Sequence, residues 1–186
     1  MNRRESLAAL AAAGTFGALA SADERGAGRQ VRAKYLYATA DDFMVDVWHN
    51  GAKIPDSKRT LLHEIFGATV ERIDLDVAAG DWLVFNVVNN RLRWGGAHYF
   101  GLAGLVAEKE ATFVSECESG RWSACDDPGQ APKFISVPGH LAMQPVQKIA
   151  TPWDQGDERM RSVVGNWTGA PIWGAARNTW LKLRVA

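Results

Sequence analysis

Residues 37–51 constrain the fold more than any other stretch. An acidic pair, Asp41-Asp42, precedes Phe43-Met-Val-Asp-Val-Trp-His49, and Asn50-Gly51 closes the run. Phe43, Val45 and Val47 alternate with Met44, Asp46 and Trp48, the period of a strand with one buried face. Asn-Gly supplies the positive φ that a tight hairpin turn needs. A helix cannot use this pattern, so the segment predicts one arm of a hairpin.

The same signals recur along the chain. Residues 31–38 alternate as a strand. In 70–77, Ile73, Leu75 and Val77 point inward and Asp74 and Asp76 outward. Residues 82–89 are nearly all apolar, as in a central strand covered on both faces. Residues 98–106, 111–115 and 178–185 complete the clear strands, and short ones are predicted near 134–137 and 146–150. Residues 60–66 fit either a short helix or a strand, and 157–164 either a helical turn or a connection. Strands 10–15 residues apart, with turn signals between them and no strand–helix alternation, predict an all-β antiparallel sandwich built as one domain. A strand at each end of the folded chain would let the termini pair.

Residues 1–22 read as an export signal. Arg3-Arg4 precedes a weakly apolar run, and Ala20-Ser21-Ala22 has the small-x-small form of a cleavage site. The arginine pair suggests the twin-arginine route over the ordinary Sec route. Residues 23–30 then form a polar leader and 31–186 the folded domain, expected in the periplasm or secreted. The formal net charge of zero argues against a nucleic-acid binder, and no other segment is apolar for long enough to span a membrane. In an exported chain the two cysteines, Cys117 and Cys125, predict one disulfide holding a short loop around Trp122.

The order of these features resembles the galactose-binding-domain-like β-sandwiches, jelly-roll modules often attached to exported glycoside hydrolases. Four motifs carry the resemblance: Asp41-Asp42 through Asn50-Gly51; the Gly80-Asp81 turn with the apolar strand after it; the Asn/Gly-rich loop leading to Ala103-Gly104-Leu105; and the terminal Trp180-Leu-Lys-Leu-Arg184. The resemblance implies a jelly roll and a sugar or other small polar ligand in some members, with a structural role in others. Related sandwiches often carry a structural calcium, for which Asp41 and Asp42 are the candidate ligands; no other cofactor is expected.

Tryptophan offers the best functional clue. Trp48 and Trp82 lie on predicted strands and read as core or half-buried. Trp94, Trp122, Trp153, Trp167 and Trp173 fall in predicted loops, where a ring face can stack on a sugar. Arg91, Arg93, Trp94, His98 and Tyr99 form the densest set of aromatic and hydrogen-bonding groups, with Trp122 and Trp173 as further candidates. No nucleophile elbow, phosphate loop or dinucleotide fingerprint is present. The expectation is a non-catalytic module binding carbohydrate or a similar polar ligand. The alternatives are an interaction protein, a small subunit of an exported enzyme, or a hydrolase with carboxylates dispersed over several strands.

Overall fold

The computed structural model of the chain describes residues 29–41, 43–65, 68–89, 98–139, 144–148 and 155–186. In order, the elements are β1 (Val31–Asp41), β2 (Phe43–His49), β3 (Ala52–Lys53), β4 (Arg59–Ile65), β5 (Ala68–Ala78), β6 (Trp82–Val88), β7 (Phe100–Ala107), β8 (Glu110–Val114), β9 (Trp122–Cys125), α1 (Ala131–Ser136), β10 (Gln144–Pro145), β11 (Gln147–Lys148), α2 (Gln155–Val163), β12 (Ile172–Trp173) and β13 (Asn178–Arg184). They build two antiparallel sheets. One is seven-stranded, in the order β11-β12-β7-β1-β5-β4, with β8 also paired to β7. The other is six-stranded, in the order β10-β9-β13-β6-β2-β3. The chain crosses between the sheets repeatedly, so both share a single core: an all-β sandwich.

The core lies between the inner faces. Ala33, Leu36, Ala38 and Ala40 of β1 and Ile73, Leu75 and Val77 of β5 meet Leu83, Phe85 and Val87 of β6 and Leu181 and Leu183 of β13. At its centre Phe85 packs on Phe100 with centroids 5.0 Å apart, and Trp122 lies 6.3 Å and 6.0 Å from the two rings. Two smaller clusters lie on the outer faces. Met160 and Val164, from and just beyond α2, cover Val70, Ala103 and Leu105 of the larger sheet. Ala131 and Phe134 of α1 cover Val84 and Trp180 of the smaller.

The hairpin forms as expected, with φ of 51° at Asn50 and 82° at Gly51. The facing of β2 does not follow strict alternation. Its register slips between Met44 and Asp46, a bulge that turns Val45 and Asp46 to the same side. Met44 is therefore buried, while Phe43 and Val45 are exposed, the reverse of the period-two expectation. The ambiguous segment 60–66 resolves as β4. Residues 134–137, expected to be a strand, instead fall mainly within α1. Pro132 in the first turn sets a helical φ, and Phe134 gains burial against the sheet. The terminal strands β1 and β13 lie in opposite sheets and do not pair. The ends meet through a side chain, Arg32 Nε donating to the Ala186 carbonyl at 2.7 Å.

Candidate functional site

The outer face of the six-stranded sheet concentrates aromatic and polar side chains in rows set by strand register. Phe43, Val88 and Asn178 form the first row. Asp46, Asn86, Trp180 and Cys125 form the second. Trp48, Val84, Lys182 and Ser123 form the third, and Trp82 and Arg184 pair beyond them. The bulge at Val45 is what brings Phe43 onto the same face as Asp46 and Trp48.

An arginine of the other sheet anchors the bulge. Arg59, at the start of β4, donates from Nη1 to the Val45 carbonyl at 2.9 Å and from Nη2 to the Met44 carbonyl at 2.7 Å. Its Nε and Nη2 grip Glu71 at 2.8 and 3.0 Å. The paired, partly buried guanidinium thus fixes a backbone kink that has lost its regular ladder bonds.

Helix α1 covers the third row and beyond. Trp82 Nε1 donates to the Ile135 carbonyl at 3.0 Å. Beneath the helix Lys182 is 0% exposed. Its Nζ donates to the Val137 carbonyl at 2.7 Å and sits 4.2 Å from the centre of the Phe134 ring. Burial pushes the ammonium down to about 8, against a smaller opposing effect of Cys125. A lysine lowered from 10.5 weakens the fold wherever it is charged in both states, below pH 8. That cost, about 3 kcal/mol, is relieved as pH rises from 8 to 10.5. Lys182→Met should therefore stabilise the protein at pH 7 by about 1–3 kcal/mol and abolish the alkaline rise, as urea unfolding at pH 7 and pH 10 would show.

The helix also reaches Trp180 and Cys125 of the second row, but the first row is not covered by α1. Phe43, Val88, Asn89, Arg177 and Asn178 line an open cleft of about 380 Å³ there. Phe43 is 56% exposed. Asn86 Nδ2 donates to Asn178 Oδ1 at 2.6 Å, fixing the amide at the cleft wall. Asp46 is paired with Lys53 at 2.6 Å. The cleft combines one exposed aromatic ring, amides and a guanidinium, which suits hydrogen bonding and stacking. Among the described side chains it holds no pair of facing carboxylates, the minimum for glycoside hydrolysis.

A second polar cluster lies at the hairpin end of the same sheet. Asp81, 4% exposed, accepts from Arg29 Nη2 and Asn50 Nδ2 at 2.6 Å each and from the Ala78 N–H at 2.7 Å, with His49 Nε2 at 3.1 Å. Burial alone would raise its carboxyl. The bonds from Asn50, Ala78, His49 and Arg29 outweigh that and hold it down at about 2. Asn50 also bonds Trp82 through its own N–H and its Oδ1. This cluster ties the hairpin tip to the β5–β6 turn, which is a structural task.

The residues singled out by sequence divide sharply. Arg91, Arg93 and Trp94 lie outside the described residues, as does Asp42; the side chain of Asp41 is likewise outside. Among the described residues no three His, Cys, Asp or Glu cluster as a metal site would require. Trp122 and Trp173 are core side chains, 4% and 1% exposed, and offer no ring face to solvent. Tyr99 is buried, and the His98 ring lies against Trp173, centroids 5.3 Å apart and tilted by 54°. Trp167 is buried beside α2. Among the described residues the half-buried indoles are Trp48 of β2 and Trp82 of β6.

The expected disulfide is corrected: Cys117 and Cys125 are both thiols. Strand alternation explains it. In β9, Trp122 and Ala124 face the core, so Cys125 faces the opposite side, against Phe134 and Trp180. Cys117 packs against the main core, on the other side of the sheet. Trp122 is held by β9–β13 pairing, opposite Leu183, and needs no covalent loop.

No family model, curated protein or solved structure matches the chain, so the likeness to galactose-binding modules rests on the four sequence motifs alone.

Proposed function

We propose that the protein is an exported, non-catalytic binding module of the galactose-binding kind, which takes carbohydrate in the cleft on the outer face of its six-stranded sheet. The observation that carries the reading is the exposed Phe43 ring beside the Asn86–Asn178 amide pair. A ring face stacks on the apolar face of a sugar, and fixed amides bond its hydroxyls. Export rests on residues 1–22 and places the module in the periplasm or outside the cell.

Phe43→Ala should weaken sugar binding at least about tenfold while leaving the unfolding midpoint nearly unchanged, because an exposed ring contributes little to folding. Titration of an oligosaccharide panel, read by Trp48 and Trp180 fluorescence, checks this. Absence of binding across the panel would sink the reading.

One observation favours the second reading, an interaction protein or enzyme subunit. Leu61 and Leu62 are exposed on β4, a strand at the sheet edge, where pairing with another chain is available. A stoichiometric partner that co-purifies with the wild type and is lost on Leu61→Lys would support it.

A further inference from the structure

We infer that the cleft selects an acidic sugar, with Arg177 receiving the carboxylate of a hexuronate unit. The inference rests on the carbohydrate reading and adds a charge requirement to it.

Arg177 is exposed and moored in place. Its Nε donates to the Asn89 carbonyl at 3.2 Å, and its own carbonyl accepts from the Asn89 N–H at 2.9 Å. That leaves the two Nη groups of the guanidinium for a ligand. Among the described residues no partner bonds them. The lining brings Arg177 together with Phe43, Val88 and Asn178. Neighbouring charge does not cancel it: Asp46, one row away, is already neutralised by Lys53.

The geometry favours a particular kind of anion. A guanidinium presents parallel N–H donors that match the two oxygens of a carboxylate. A phosphate monoester carries nearly two charges and would call for a second cation, which the described lining lacks. Phe43 and Val88 require the body of the ligand to have an apolar face, and Asn178 requires hydroxyls. A pyranose ring with a carboxylate at C6 meets all three demands. The cleft volume falls within the range of about 300–1,000 Å³ for small-ligand sites.

Calorimetric titration of the whole folded chain with oligogalacturonate and with its methyl ester tests this, since esterification removes the charge while adding only a methyl group to each carboxyl. The acid should bind about tenfold or more tightly than the ester, and the advantage should shrink as salt rises. Arg177→Gln should cost the acid about tenfold or more in affinity and the ester much less, so that the two converge. Equal binding of acid and ester by the wild type would overturn the charge requirement while leaving the carbohydrate reading intact. So would a preference for the acid that survives Arg177→Gln. Failure of both, and of neutral oligosaccharides, would remove both readings. A neutral or sulfated glycan preferred over the uronate would keep the site and reject the carboxylate. Each titration is run in calcium and in EDTA, because Asp41-Asp42 precede Phe43. Acid binding that requires calcium would assign the carboxylate to a metal and overturn the role of Arg177.

Discussion

Trp122→Ala should lower the free energy of unfolding by about 3–5 kcal/mol, the usual cost of emptying an indole-sized space in a close-packed core. Trp122 bridges the sheets: it is paired through β9 with Leu183 and packs beside Phe85 and Phe100. The cavity cannot collapse easily, because the opposing rings are held by two different sheets. Trp122→Phe should cost less, under about 2 kcal/mol. The indole Nε1 is buried with no hydrogen-bond partner among the described residues, so removing it also removes an unsatisfied donor. Chemical denaturation of both variants checks the order. A Trp122→Ala protein as stable as wild type, but unable to bind sugar, would reverse the assignment and make Trp122 a ligand group.

Asp81 should produce the next largest effect, and it should depend on pH. Its carboxyl sits at about 2 in the folded protein, against an ordinary 3.8. A lowered acid contributes stability that is fully present above its unfolded value and is lost as pH falls through its folded one. The fold should therefore weaken by about 2 kcal/mol between pH 4 and pH 2. Asp81→Ala should cost about 2–4 kcal/mol at pH 7, towards the lower end because Arg29 is exposed and its contact is screened. The variant should also show a flatter acid limb. Thermal unfolding across pH 2–7 measures both. An unchanged acid limb would mean that some other carboxylate controls acid stability.

The strands were legible because they obey a simple period. Ile73, Leu75 and Val77, and Leu181 and Leu183, face the core as alternation requires. Two kinds of information were not local. Facing in β2 depends on one extra residue, Val45, held out of register by Arg59 of the opposite sheet, so Phe43 could not be placed at a surface cleft from its neighbours alone. Burial of the second face depends on α1. Trp180 and Lys182 alternate outward, yet both are buried because a six-residue helix lies over them. The tryptophans were misplaced for the same reason. Trp173, in a Gly-rich stretch that reads as a loop, lies instead on the short strand β12, joins the core and bonds the Ala176 carbonyl through Nε1. Trp48, on strand β2, stays only half-buried at the margin of the α1 cluster. The amide pair carried no sequence signal, since Asn86 sits inside an apolar run and its partner Asn178 is 92 residues away.

The Arg59 clasp makes the cleft a reporter on a distant edge. One wall of the cleft and the outermost strand of the other sheet share a single guanidinium, so loosening either must be felt by the other. By reciprocity, a ligand held against Phe43 would slow hydrogen–deuterium exchange along β4, which the ligand never touches. Any change at β4 that shifts Arg59 would, by the same linkage, shift the affinity of whatever the cleft holds.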